Sequence, residues 1–105
     1  MDMAQAKHMT ITVVICARNE AANIRHVLTH AIPYADEVLV VDGHSSDGTQ
    51  EIAQEMGCRV VLDNKKGKGD AIRVGIAKAE GDVIVFCDAD CSHNPHDIPA
   101  LVAPI

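Results

Sequence analysis

The feature that most narrows what this chain can fold into is a fourfold alternation. Short runs rich in Val and Ile are separated by segments of helical spacing, and each run leads into a polar loop. Residues 11–16 (Ile-Thr-Val-Val-Ile-Cys), 38–41 (Val-Leu-Val-Val), 59–62 and 82–87 are strand-sized and lack polar alternation, so they read as strands buried on both faces. Over 20–31, Ala21, Ile24, Leu28 and Ala31 form one apolar helical face, with Asn19 placed to cap it and Pro33 beyond its end. Ile52, Ala53 and Met56 give a second helix, started by Ser46 or Asp47 and ended by Gly57. Ala71, Ile72, Gly75, Ile76 and Ala79 line a third, closed by Gly81. This βαβαβαβ order predicts a mostly parallel sheet with right-handed crossovers and helices on both faces, a three-layer Rossmann-like α/β fold. Asn94-Pro95-His96-Asp97 then announces a short helix at 98–102, with Pro99 and Pro104 limiting its length.

With 105 residues the chain holds one domain, 10–105, behind a flexible lead-in at 1–9. Aromatics are only 2%, so the core must be built from Val, Ile, Leu and Ala. A net charge of −6 excludes a backbone-dominated nucleic-acid binder, and the one dense basic run, Lys65-Lys66-Gly67-Lys68, suits a local anion site. Cys16, Cys58, Cys87 and Cys91, with no CxxC pair and no secretory signal, read as reduced thiols of a cytoplasmic protein. No apolar run approaches the length of a membrane span, which leaves peripheral membrane work open.

In sheets of this kind ligands bind beyond the carboxyl ends of the strands. Those ends carry Arg18-Asn19-Glu20, Asp42, Asp63 and Asp88-Ala89-Asp90. Asp88 and Asp90 are two residues apart, so extended backbone turns both carboxylates to one side, where Mg²⁺ or Mn²⁺ could be shared with phosphate oxygens. Spacing alone is matched by one capping and one solvated aspartate; the strand-end position favours the metal. Asp42 and Asp63 each suit a hydrogen bond to a nucleobase or ribose, or an Asx turn, with the turn favoured for Asp63. Gly67 and Gly69, flanked by Lys66, Lys68 and Arg73, enter a helix in the manner of an anion-binding loop, with a solvated basic turn as the alternative. The loop is not a Walker A sequence, because Leu62 stands at the first glycine position and Asp70 replaces the metal-binding Ser or Thr. No GxGxxG follows the first strand, which disfavours a dinucleotide. Cys87, Cys91, His93 and His96 are too cramped for a good zinc site, and His26 and His30 read as exposed surface.

Taken together, Ile15-Cys16-Ala17-Arg18-Asn19-Glu20, Val40-Val41-Asp42-Gly43-His44-Ser45-Ser46-Asp47-Gly48-Thr49, Gly67-Lys68-Gly69-Asp70-Ala71 and Asp88-Ala89-Asp90 resemble the family 2 glycosyltransferases of GT-A fold, over about 11–105. Asp88-Ala89-Asp90-Cys91-Ser92-His93-Asn94-Pro95 is similar to the polyprenyl-phosphate sugar transferase branch, typified by dolichyl-phosphate mannose synthases. The resemblance implies that Ala17, Asn19 and Glu20 border the nucleoside and that Asp42 contacts base or ribose. Gly67 and Lys68 would lie along the nucleotide, while Asp88, Ala89 and Asp90 meet the metal and diphosphate. Ser92 stands where some relatives place a glutamine that adds a metal contact.

The implied activity is metal-dependent binding of a UDP- or GDP-linked sugar for inverting transfer, with Asp88 and Asp90 as the catalytic pair. A polyprenyl phosphate at a membrane surface would be the acceptor. Family members continue for another hundred residues or more, so the resemblance makes 10–105 a truncated nucleotide-sugar-binding part whose acceptor site lies elsewhere. Two other readings compete. One is a catalytically incomplete nucleotide-binding or assembly module, self-associating into homo-oligomers through an open sheet edge. The other is a nucleotidyltransferase, whose glycine-rich signature after strand one is missing here.

Overall fold

The computed structural model describes residues 9–89 and 103–104. The strands are β1 (Ile11–Ala17), β2 (Glu37–Asp42), β3 (Arg59–Leu62), β4 (Val83–Asp88) and a two-residue β5 (Ala103–Pro104). The helices are α1 (Ala21–Ala31), α2 (Thr49–Glu55) and α3 (Lys68–Lys78), with a single 3₁₀ turn at Ile32–Tyr34. Sheet order is β3-β2-β1-β4-β5. The first four strands run parallel, as expected, and β5 adds an antiparallel pair on the β4 edge. Pro104 is tolerated there because an edge strand can spare a backbone donor. The helix expected at 98–102 lies outside the described residues.

The walk across the sheet reverses at β1: β2 and β3 extend one way, and β3 then connects back to β4 on the other side. Right-handed crossovers must therefore put the last helix on the opposite face from the first two. The core divides accordingly. Ile24, Val27, Leu28 and Ala31 of α1 and Ala53 of α2 pack on Val13, Ile15, Val38, Val40, Val85 and Cys87. Ala71 and Val74 of α3 pack on Val14, Leu39, Val41, Ile84 and Phe86. Strand residues alternate between these two clusters, and both are apolar, which is why β1 and β2 read as continuous hydrophobic runs.

Three local expectations are corrected. Asn19 does not cap α1 with its side chain; the first turn is capped from the loop after β2, where Asp47 Oδ2 accepts from the Ala21 N–H at 3.1 Å. Ile76 is half exposed, because the inward stripe of α3 runs through Ala71, Val74, Gly75 and Ala79. Gly81 does not end α3, which stops at Lys78 with Ala79 as its cap. Gly81 instead passes so close to β1 that an added Cβ would lie 2.6 Å from Thr12 Oγ1 and 2.8 Å from the Thr12 backbone nitrogen.

Candidate functional site

The parallel strands end nearly flush. Register pairs Cys16 with Asp88 and Ala17 with Asp42, and Asp42 with Leu62. Backbone bonds continue the ladders one step further: Gly43 N–H to Ala17 O at 2.7 Å, Ala89 N–H to Cys16 O at 3.1 Å, and Asp63 N–H to Asp42 O at 3.1 Å. Beyond this row opens a cleft of about 580 Å³, lined after β4 by Asp88 and Ala89, after the intervening β1 by Ala17 and Glu20, and after β2 and β3 by Gly43, His44, Asp63 and Lys65. Arg18, Cys16, Val41, Gly67 and Ala71 complete it. It sits where the strand order reverses, the place where open α/β sheets take ligands.

Strand parity explains which aspartates face this cleft. Phe86 packs on the α3 side, so Asp88, two residues on, points the same way at the strand end. Val38 and Val40 pack on the α1 and α2 side, and Asp42 follows them. Its carboxylate is fully buried, accepting from the Ser45 N–H at 2.7 Å, the Ser45 hydroxyl at 2.6 Å and Gln50 Nε2 at 2.8 Å. Asp42 thus makes the Asx turn that shapes the loop, and its side chain is not among those lining the cleft. Asp63 does both things: it accepts from the Lys65 N–H at 2.9 Å and lines the cleft.

The loops after β1 and β2 are laced together. Asn19 N–H donates to Ser45 Oγ at 2.7 Å, Glu20 N–H to Thr49 Oγ1 at 3.0 Å, and Ser46 N–H to Asn19 Oδ1 at 2.8 Å. Asn19 is therefore a loop clasp, in left-handed backbone at φ 53°, while its neighbours Ala17 and Glu20 reach the cleft. At the start of α1 the Glu20 and Ala21 N–H groups are already taken by Thr49 Oγ1 and Asp47 Oδ2. His44 and Lys65 also hold left-handed backbone, at φ 64° and 62°. Non-glycine residues kept in that region mark places where the surroundings over-determine the chain. His44 Nε2 lies 2.8 Å from the Asp63 carbonyl oxygen, which joins the loops after β2 and β3.

On the third loop, Gly67 and Ala71 bring the start of α3 to the cleft wall. Asp70 is buried in the first turn and accepts from Asn64 N–H at 2.6 Å and Asn64 Nδ2 at 3.0 Å, closing the basic loop on itself. Lys68 is the first residue of α3, and its side chain falls outside the described part of the structure. Asp90 and Ser92 also lie outside the described residues. Among the described residues no three His, Cys, Asp or Glu side chains are grouped closely enough to hold a metal. Asp88 offers a hard oxygen donor at the cleft wall, which fits Mg²⁺ or Mn²⁺ if phosphate oxygens and further carboxylates complete the shell. Cys87, buried on the other face, has its thiol pushed up by burial and then by the Asp88 charge, which suits a neutral core thiol better than a metal ligand.

Three carboxylates that build this scaffold are held below their ordinary pKa. For Asp47 the cause is the Thr49 hydroxyl, helped by the Ala21 and Thr49 N–H groups; for Asp70 it is the Asn64 side chain and then its N–H. Burial pushes Glu37 up, but the Glu80 N–H, the Thr12 hydroxyl and Arg59 outweigh it. A depressed folded-state pKa stabilises the fold above the unfolded value, about 4 for a carboxyl, and that stabilisation is lost as pH falls through the folded value. The urea midpoint should accordingly be flat from neutrality to about pH 5 and decline below it. Asp47→Asn should flatten that acid limb, read by urea unfolding followed by circular dichroism, since the chain has no Trp.

Residues 12–105 match the profile of Glycosyl transferase family 2. An uncharacterized glycosyltransferase of Mycobacterium tuberculosis is 37% identical over 95 residues, which span 90% of this chain and 43% of that protein. The crystal structure of M. tuberculosis glucosyl-3-phosphoglycerate synthase with Mn²⁺, UDP-glucose and phosphoglyceric acid superposes with a TM-score of 0.78 at 34% identity, covering 92% of this chain and 39% of that one. Mannosyl-3-phosphoglycerate synthase from Rubrobacter xylanophilus gives a TM-score of 0.76 at 28% identity, covering 89% and 36%. The chain thus spans roughly two fifths of the length of these relatives. The fold is the GT-A arrangement the sequence implied. The two solved relatives are phosphoglycerate glycosyl synthases and not the dolichyl-phosphate mannose synthases that the sequence resemblance suggested. Among the described residues no helix is long and apolar enough to cross a membrane.

Proposed function

Because the chain belongs to glycosyl transferase family 2, we propose that its strand-end cleft binds the nucleotide of a UDP-linked sugar, with glucose as the sugar, for inverting transfer. The observation that carries this reading is the row formed by Ala17, Gly43, Asp63 and Asp88, which lines one cleft with a carboxylate at its β4 end and loop residues at its β2 and β3 end. The β4 end suits a metal-bound diphosphate, and the β2 and β3 end suits a nucleoside. The relatives that hold UDP-glucose and Mn²⁺ support the same assignment.

Mn²⁺ or Mg²⁺ would be held by Asp88, together with Asp90 and Ser92, and when bound it offsets negative charge on the leaving diphosphate. Glu20 and Ala17 border the nucleoside, and Asp42 acts on it through the loop that carries Gly43 and His44. Gly67 and Lys68 present the start of α3 to an anion. Phosphoglyceric acid in the related structure makes a small phosphorylated acid a better-supported acceptor class than a polyprenyl phosphate. A lipid phosphate would attack through an oxygen that already carries negative charge, whereas a phosphorylated acid that attacks through its hydroxyl needs a carboxylate base at hydrogen-bond range.

Calorimetry of the chain with UDP-glucose, in Mn²⁺ and in EDTA, tests the proposal. Binding that needs the metal, and that UDP competes away, is the expected result. Heat indistinguishable from dilution with UDP-glucose and GDP-sugars alike, with and without Mn²⁺, would sink it.

A further inference from the structure

In His44, on the loop after β2, backbone and side chain make opposite demands. Its φ of 64° lies in the left-handed region, which a β-carbon disfavours and glycine enters freely. Glycine would satisfy the backbone here, but it has no imidazole. The His44 Nε2 lies 2.8 Å from the Asp63 carbonyl oxygen and 3.5 Å from Asp63 Oδ1. A carbonyl can only accept, so the ring proton of this bond sits on Nε2 and His44 is the donor. The left-handed turn swings that donor across to the end of β3.

Among the described strands β3 pairs only with β2 and forms an edge of the sheet. The loop that follows it supplies Asp63, Lys65 and Gly67 to the cleft wall. Several of its hydrogen bonds turn inward. Lys65 N–H donates to Asp63 Oδ1 at 2.9 Å, and Asn64 donates to Asp70 in the first turn of α3 through its N–H at 2.6 Å and its Nδ2 at 3.0 Å. Loop and helix start are thus one unit. Among the described residues, two hydrogen bonds tie that unit to β2 and the loop after it: Asp63 N–H to Asp42 O, and His44 Nε2–H to Asp63 O. The other side of the β2 loop is held more densely, through the N–H groups of Asn19, Glu20, Ala21 and Ser46. Toward β3, among the described residues, the side-chain link is His44.

Resting on the nucleotide-sugar reading above, we infer that His44 is a positioning residue: its imidazole fixes the loop after β3 and the start of α3 at the distance from β2 that the bound donor requires. It acts through Asp63, to which its Nε2 proton is already committed. The left-handed backbone is kept because it aims this clasp, and strain of that kind persists where the surroundings over-determine the chain. Releasing the clasp lets the loop and the first turn of α3 drift from β2. Apparent affinity then falls with the fraction of chains that hold the closed arrangement.

The test is NMR titration of uridine, which has no phosphate and needs no metal, and calorimetry of UDP with Mn²⁺. Both are run on wild type, His44→Gly, His44→Asn and His44→Gln. Glycine and asparagine accept the left-handed backbone but carry no donor long enough to reach the Asp63 carbonyl. Glutamine fits that backbone less well, yet holds an amide donor about as far from the main chain as Nε2. His44→Gly and His44→Asn should each lose roughly three- to tenfold in affinity for both ligands, and amide hydrogen exchange over 63–67 should quicken. His44→Gln should recover most of both losses. A residue that served the fold alone would give the reverse order, with glycine the best replacement because the backbone is eased. Affinities equal to wild type in His44→Gly and His44→Asn, or His44→Gln binding no better than His44→Gly, overturn the inference and leave the nucleotide site standing. Should His44→Gly fail to fold, His44→Asn takes its place in that comparison. Wild-type chain that binds neither uridine nor UDP overturns the nucleotide reading itself, and the role of His44 with it.

Discussion

Asp88→Asn should abolish the metal-dependent part of UDP-glucose binding while leaving uridine binding unchanged. The side chains are isosteric, so the substitution removes one negative charge and little else. Loss of a group one step removed from a metal typically costs tenfold to a hundredfold in affinity, so loss of a direct carboxylate ligand should cost about a hundredfold or more. Uridine reports the β2 and β3 end of the cleft, across β1 from Asp88, where Gly43, His44 and Asp63 stand. Thermal stability should change little, since Asp88 is only half-buried at a strand end. Calorimetry in Mn²⁺ and in EDTA reads the difference. An Asp88→Asn chain whose Mn²⁺-dependent binding matches wild type would remove Asp88 from the metal site.

Most of the fold was legible because the strands are apolar on both faces and their ends coincide with aspartates. The bounds of β3 follow from the sequence alone, and Asp88 sits at the end of β4 as its hydrophobic run implies. The helix caps were not legible, since the cap of α1 comes from Asp47, 26 residues away, and local pattern cannot show a partner brought by the neighbouring strand. The same limit applies to Asn19, which looks like a cap in sequence and serves as a clasp to Ser45 and Ser46. Asp42 could have been separated from Asp88 by parity. Counting back by twos from Asp42 reaches Val40 and Val38, on the α1 and α2 side, whereas Phe86 places Asp88 on the α3 side. Knowing which helix covers which face requires the crossover at β1, and that is a property of topology. Arg18 and His44 were quoted in their strand-end loops without a role of their own, because their place on the cleft wall depends on the close approach of Arg18 to Gly43 and on a left-handed φ at His44, neither of which has a sequence period.

Leu39→Ala should be the most damaging core substitution on the α3 side, at about 2–5 kcal/mol, toward the upper end of that range. Leu39 is fully buried in β2, one of the three interior strands, and packs in the cluster with Val14, Val41 and Ala71. The cost of such a truncation depends on how far the surroundings collapse into the cavity. Here α3 has no room to approach: a Cβ at Gly75 would lie 2.7 Å from Val14 Cγ1, so helix and sheet are already at closest contact. Among the described residues one helix of 11 residues covers this face, which leaves few described side chains to refill the space. For a domain of this size the loss corresponds to a fall of more than about 10 °C in Tm. Ala71 joins this cluster to the cleft, so the variant also separates stability from binding. A saturating nucleotide sugar adds stability in proportion to the logarithm of its concentration over Kd, whatever the starting Tm. Equal ligand-induced shifts in Leu39→Ala and wild type would show a cleft that keeps its shape over a weakened core. An unchanged Tm in Leu39→Ala would mean that α3 does not seal this face of the sheet.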